Sequence, residues 1–75
     1  MRRFVYLVRY GKRCDVYPDA DKALKRRDML RAANVPTAYV DQRVMNLADM
    51  ENLLGRSVRP GEWESYKVAF ADGDD

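Results

Sequence analysis

The 75-residue sequence predicts a small α+β domain with the element order ββαβαβ. Two observations predict this class. Strand-like and helix-like stretches alternate in a chain too short for more than one domain, and turn or capping residues stand where the pattern changes. We expect a mostly antiparallel sheet with two helices packed on one face. The domain should span residues 1–71, followed by a frayed acidic tail at residues 72–75.

A β-hairpin is predicted at the start of the chain. Residues 4–10 are rich in β-branched and aromatic side chains, and residues 13–17 return after a Gly-Lys turn. Gly11 at the first turn position favours a two-residue type II′ turn, which sets Tyr6 opposite Tyr17. Because side chains alternate between faces, one face should be apolar and the other rich in tyrosine.

The next predicted element is a helix over residues 20–33. Asp19 stands where a side chain can cap the first turn, and Asp21 favours the positive end of the helix dipole. Asn34 readily takes the left-handed conformation that ends a helix, and Pro36 soon follows. These residues define both ends of the helix.

The second half of the chain predicts a strand, a short helix and a strand. The first strand begins at residue 37 and ends between residues 41 and 44, and Asn46 caps a helix over residues 47–54. Residues 59–62 have the Pro and Gly of a type II turn. Alternating side chains at residues 63–70 then indicate the fourth strand of the sheet.

The composition excludes most catalytic chemistry. The chain has no histidine, which removes the commonest general base and every Ser-His or Cys-His arrangement. Cys14 is the only cysteine, so no internal disulfide and no multi-cysteine metal site can form. We therefore expect a non-enzymatic protein without metal or cofactor, with Cys14 as a small buried side chain and a reactive thiol as the alternative.

The same features predict where the protein works. A single unpaired thiol fits a reducing compartment, and no apolar run approaches the length of a membrane span. We expect a cytoplasmic protein of a bacterial host that does not bind a membrane. Its partner should be a protein or ribonucleoprotein complex, with nucleic acid or a second copy of the chain as alternatives.

Charge is divided unevenly along the chain. Residues 1–31 contain ten Lys and Arg and four Asp, whereas residues 32–75 contain four Lys and Arg and eight Asp and Glu. Such an imbalance points to a charged partner. The candidate nucleic-acid contacts are Arg2, Arg3, Arg9, Arg26 and Arg27. The alternative is a solvated helix face whose cations are balanced by neighbouring aspartates.

The tyrosine-rich sheet face is the leading candidate for a binding surface. With both helices on one face of the sheet, the other face would stay open, and tyrosine offers rigid contact area with a polar tip. The candidate partner-binding residues are Tyr6, Tyr10, Arg13 and Tyr17, with Trp63 and Glu64 as a second patch. The alternative is ordinary cross-strand aromatic pairing on a solvated sheet.

The hairpin at residues 6–14, followed by the capped helix and strand of residues 19–40, resembles small phage- or plasmid-encoded accessory proteins. Anti-CRISPR inhibitors belong to this class. The resemblance is architectural and covers roughly the first half of the chain. It implies a stoichiometric inhibitor or adaptor that blocks a nucleoprotein complex by occupying a surface on it. The alternative function is a small nucleic-acid-binding module that uses the basic N-terminal half.

Overall fold

A computed structural model describes residues 1–69, which form three strands and three helices. In chain order these are β1 (Arg3–Tyr10), β2 (Arg13–Tyr17), α1 (Ala20–Ala32), β3 (Tyr39–Met45), α2 (Leu47–Leu54) and α3 (Pro60–Glu64). The sheet is antiparallel with the strand order β2-β1-β3, so the first strand of the chain is the central one. The α+β class is confirmed, whereas the predicted order ββαβαβ is wrong. The predicted tail at residues 72–75 lies outside the described residues.

The N-terminal hairpin has the predicted register. Tyr6 lies opposite Tyr17 and Tyr10 lies opposite Arg13, which leaves a two-residue turn. Gly11 has a φ of +57°, and among the described residues Asn34 is the sole non-glycine with a positive φ. A positive φ at the first turn position alone is the type II′ pattern.

Alternate residues of β1 enter two separate cores. Val5 and Leu7 are fully buried in a cluster with Met50 of α2. Val8 points to the opposite face, where it is fully buried against Ala23 of α1. The helices α1 and α2 therefore lie on opposite faces of the sheet, and the prediction that both pack on one face is wrong.

The position of α1 follows from Val8, which shares the tyrosine-rich face of the hairpin. An open sheet face would leave this side chain in water, and burying one valine contributes about 2 kcal/mol. Asp19 begins α1 directly after β2, since its side chain accepts a hydrogen bond from the backbone N–H of Lys22 at 2.8 Å. The small Ala23 then lets the helix approach the sheet over Val8.

The end of α1 is a Schellman motif. Asn34 has a φ of +75°. The N–H of Val35 donates to the carbonyl of Leu30 at 2.9 Å, and that of Asn34 donates to the carbonyl of Arg31 at 3.1 Å. Val35 and Leu30 also pack in the same apolar cluster, which is the contact that accompanies this motif. The predicted stop at Asn34 is confirmed.

The chain follows the predicted structure through α2 and departs from it after that helix. The bounds of α2 and its cap at Asn46 are as predicted. Pro60 then begins the short helix α3, which contains Trp63, where a turn and a strand were predicted. Gly61 has no positive φ, so the type II turn is wrong. Proline at the first helical position and Glu62 in the first turn both favour a helix start.

Within residues 63–69 the predicted fourth strand is reduced to one β-bridge, between Val68 and Arg3, and residue 70 lies outside the described residues. The N–H of Phe4 donates to the carbonyl of Lys67, and the N–H of Ala69 donates to the carbonyl of Arg2, both at 2.9 Å. This C-terminal segment lies along the same side of β1 as β2. It brings the buried Tyr66 into the core around Val5 and Leu7.

Burial raises the pKa of Tyr66 from the ordinary value of 10.0 to about 12, with the negative charge of Glu62 as the second cause. Since the folded pKa exceeds the unfolded one, the stability that this group contributes is complete below about pH 10 and is lost as the pH rises towards 12. An ultraviolet titration of the five tyrosines should therefore contain a late step near pH 12.

Tyr66→Phe should remove that late step and leave the earlier ones in place. Tyr39→Phe is the matched control, because Tyr39 is half-exposed, and it should keep the late step. A late step that survives in Tyr66→Phe, or that disappears in Tyr39→Phe, would contradict the burial of Tyr66.

Candidate functional site

The tyrosines predicted to form an open binding face lie beneath α1. Tyr6, Tyr10 and Tyr17 are each half-buried and pack against the core cluster that contains Val8 and Ala23. The expected open face is therefore covered, because α1 uses it for its own packing. Contact between these tyrosines and a partner stays a prediction, and it is limited to the parts of their side chains that α1 leaves exposed.

Tyr10 also belongs to a polar cluster that joins the hairpin to α1. The hydroxyl of Tyr10 and the Nε of Arg26 both donate to Asp15 Oδ2, each at 3.2 Å. The guanidinium of Arg26 lies 5.8 Å from the centroid of the Tyr10 ring, within cation–π distance. The cluster therefore holds Arg26 against its own domain.

The five arginines proposed for nucleic-acid binding do not form one surface. Four of them contact groups of the same chain: Arg3 lies over the Trp63 ring, Arg9 pairs with Asp41, Arg26 with Asp15 and Arg27 with Asp28. Arg9 and Arg26 lie on opposite faces of the sheet. A groove that follows a phosphate backbone needs aligned and available cations, which this set does not supply.

The second predicted patch, Trp63 and Glu64, does not form one exposed surface, because Trp63 packs within the domain. Trp63 is half-buried, with the Arg3 guanidinium 5.4 Å from the ring centroid and the Tyr66 ring at 6.1 Å. Arg3 also donates a hydrogen bond to the carbonyl of Tyr66 at 2.6 Å, so it attaches the C-terminal segment to β1. Glu64, next to Trp63 in the chain, is exposed.

A cleft of about 350 Å³ lies at the hairpin end of the sheet. Its lining includes Arg9, Lys12, Arg13, Cys14, Thr37 and Tyr39. The register explains how distant residues meet here, because Arg9 of the central strand lies opposite both Cys14 and Tyr39. This row stands on the α2 side of the sheet, yet Tyr39 stays 51% exposed because the apolar cluster beneath α2 does not include it.

The cleft has a positive charge excess. Lys12 and Arg13 are exposed, and neither makes an ion pair within residues 1–69. Arg9 approaches Asp41 at 3.6 Å, but the same carboxylate also accepts from Arg43 at 3.0 Å. One carboxylate therefore serves two guanidinium groups, and the hairpin end attracts anions.

Cys14 lines the cleft but is not activated. Burial raises the pKa of its thiol above the ordinary 9.0, and the positive charge of Arg9 offsets only part of that increase. The thiol is therefore protonated near neutral pH, whereas a nucleophilic cysteine needs a lowered pKa. Cys14 packs against the core cluster of Val5 and Leu7 instead.

The sequence predicts different candidate sites for Arg9 and Arg13, and it selects neither Thr37 nor Tyr39 as a site residue. The position of Tyr39 depends on the pairing of β3 with β1, which is long-range information. The local indication in the sequence was an aromatic residue soon after Pro36, near the start of the predicted third strand.

Comparison with known proteins found no matching family model, no matching curated protein and no matching solved structure. Across residues 1–69, no helix is long and apolar enough to cross a membrane. In the same part of the chain, no three His, Cys, Asp or Glu side chains gather as potential metal ligands.

Asp15→Ala should lower the free energy of unfolding by about 1 kcal/mol, because it removes the acceptor shared by Tyr10 and Arg26 in a half-exposed site. Arg13→Ala is the matched control on the same strand and should change it by less than about 0.5 kcal/mol. Urea denaturation measures both values. Equal stability of the two variants would show that the cluster does not attach α1 to the hairpin.

Proposed function

We propose that the protein is a non-enzymatic binding protein that uses its hairpin-end cleft to occupy an acidic surface on a partner. It acts as a small stoichiometric inhibitor or adaptor of a nucleoprotein complex. The observation that supports this most is the meeting of Lys12 and Arg13, which have no ion-pair partner in residues 1–69, with the half-exposed Tyr39 in one concave site. Arginine and tyrosine are the residues that most often dominate the energy of protein interfaces.

The chemistry of the cleft favours binding over catalysis. Its groups are guanidinium, ammonium, phenol and hydroxyl, and its thiol has a raised pKa. Lys12 and Arg13 are free to meet carboxylates, since no carboxylate within residues 1–69 pairs with them. A planar guanidinium fits a carboxylate with two parallel hydrogen bonds, which gives orientation as well as attraction.

The architectural resemblance to anti-CRISPR inhibitors supports the choice of a nucleoprotein complex as the target. A small domain with a compact positive end can block an acidic protein surface of such a complex without any chemistry of its own. A bacterial cytoplasm, where Cys14 would stay reduced, agrees with this proposal.

The second candidate function is binding of single-stranded nucleic acid. The observation that favours it is the position of Tyr39 directly opposite Arg9, because an exposed aromatic ring beside a cation can stack on a base while the cation holds a phosphate. It ranks second because the cations are concentrated at one end of the molecule. Three of the five predicted arginine contacts, Arg3, Arg26 and Arg27, are engaged by other groups of the chain.

The double variant Lys12→Glu/Arg13→Glu should weaken binding to a fluorescent Asp- and Glu-rich peptide by at least about tenfold, because it reverses both unpaired charges of the cleft. Lys22→Glu/Lys25→Glu is the matched control, since it makes the same charge change on exposed residues of α1. Fluorescence anisotropy at two salt concentrations measures the affinities.

Equal losses in the two double variants would mean that net charge, and not the cleft, determines binding. A second titration uses a single-stranded DNA oligonucleotide of mixed sequence. Tighter binding of the oligonucleotide than of the peptide, with a steep salt dependence and a loss in Tyr39→Ala, would favour the second candidate function.

A further inference from the structure

In the part of the chain that the structure describes, the outer edge of β3 is an unpaired sheet edge. β3 is seven residues long and pairs with β1 on one side, and no other strand of residues 1–69 lies on its far side. Two of its hydrophobic side chains are exposed, Tyr39 at 51% and Val44 at 38%. A long exposed edge is a template for pairing with another strand.

The register shows which backbone groups face outwards. The N–H of Phe4 and the carbonyl of Arg2 form hydrogen bonds with the C-terminal segment, so the backbone N–H and C=O groups of even-numbered residues of β1 are directed to that side. The backbone groups of odd-numbered residues of β1 are then directed to β3, where they pair with odd-numbered residues without a bulge. The N–H and C=O groups of Val40, Gln42 and Val44 are therefore directed away from the sheet.

The sequence of β3 is complementary to itself when reversed. Its residues read Tyr-Val-Asp-Gln-Arg-Val-Met, with Gln42 at the centre. Antiparallel pairing with a second copy around Gln42 sets Asp41 opposite Arg43 of the partner subunit, and Val40 opposite Val44 of the partner subunit. Each charge meets its opposite, each valine meets a valine, and Gln42 meets its own copy across the two-fold axis.

We propose that β3 pairs in this way with β3 of a second copy of the chain, which joins two three-stranded sheets into one six-stranded sheet. The outward-facing Val40, Gln42 and Val44 supply the backbone hydrogen bonds. Asp41 and Arg43 stand on the α2 side of the sheet at positions between those bonds, where opposing side chains come closest.

Other registers do not share this complementarity. A shift by two residues in one direction sets Arg43 opposite Arg43 of the partner subunit, and a shift in the other direction sets Asp41 opposite Asp41 of the partner subunit. Like charges directly opposite each other destabilise a sheet. The charges therefore select one register as well as one kind of partner, a copy of the same strand.

The side chains of Asp41 and Arg43 are also placed so that their ion pair within one chain can be replaced by ion pairs between two chains. Arg43 Nε lies 3.0 Å from Asp41 Oδ2 within the chain, so both groups already stand together at the edge on one face. The pairing also covers the exposed part of Val44 with Val40 of the partner subunit. Lys12 and Arg13 lie in the turn and strand on the other side of β1, away from this edge.

Charge reversal tests the proposal directly. Sedimentation equilibrium should give twice the 8.7-kDa chain mass for the unchanged protein. Asp41→Arg alone and Arg43→Asp alone should each raise the dimer dissociation constant by about 30-fold, because both symmetric charge pairs become repulsive. An equimolar mixture of the two variants should form a heterodimer, since one edge then has two arginines and the other two aspartates.

The double variant Asp41→Arg/Arg43→Asp restores opposite charges on one chain and should dimerise again, which keeps the test decisive if a single variant folds poorly. Circular dichroism checks the fold of each protein. An unchanged protein that stays monomeric up to its solubility limit would overturn the proposal. Pairing of this edge with a strand of a different protein, in place of a second copy, would overturn it as well. Single variants that dimerise as tightly as the unchanged protein would also overturn it.

Discussion

The burial of β1 on both faces is the constraint on which the rest of this structure depends. Val5, Leu7 and Val8 have no exposed surface, although successive residues of a strand point to opposite faces. A strand of this kind needs a layer on each side, and the chain supplies α1 for one and α2 with the C-terminal segment for the other. Each buried aliphatic side chain contributes about 2 kcal/mol, a large share of the few kcal/mol by which a small domain is stable.

This constraint decides which surfaces remain for binding. Both faces of the central strand are occupied, so the flat tyrosine face is not free, and the proposed binding surfaces lie at one end and at one edge of the molecule. The hairpin end has cations without an ion pair in residues 1–69 and an exposed ring, and the β3 edge has backbone groups and a self-complementary charge pair. The two surfaces share Tyr39 at the start of β3, whereas Lys12 and Arg13 lie on the other side of β1, so a dimer joined at β3 would still present two positive hairpin ends.

Local chemistry was predictable from the sequence, whereas the choice between faces was not. Gly11, Asp19 and Asn46 act within a few residues of themselves, and the turn and the two helix starts that they predict are present. Packing of α1 on the tyrosine side depends on a contact between Val8 and residues more than a dozen positions away. The alternation at residues 63–70 was misleading because Pro60 begins a helix that includes the first of those residues. The meeting of Arg9 with Tyr39 likewise requires the register of β3.

Amide hydrogen exchange, followed residue by residue by nuclear magnetic resonance, tests most directly whether β1 is the buried centre of the molecule. The N–H groups of Tyr6 and Val8 face β2, and those of Val5 and Leu7 face β3. All four should exchange only through global unfolding, with opening free energies equal to the unfolding free energy from urea denaturation. Markedly faster exchange of either pair would show that one side of the sheet opens on its own, and would contradict a central strand that both layers depend on.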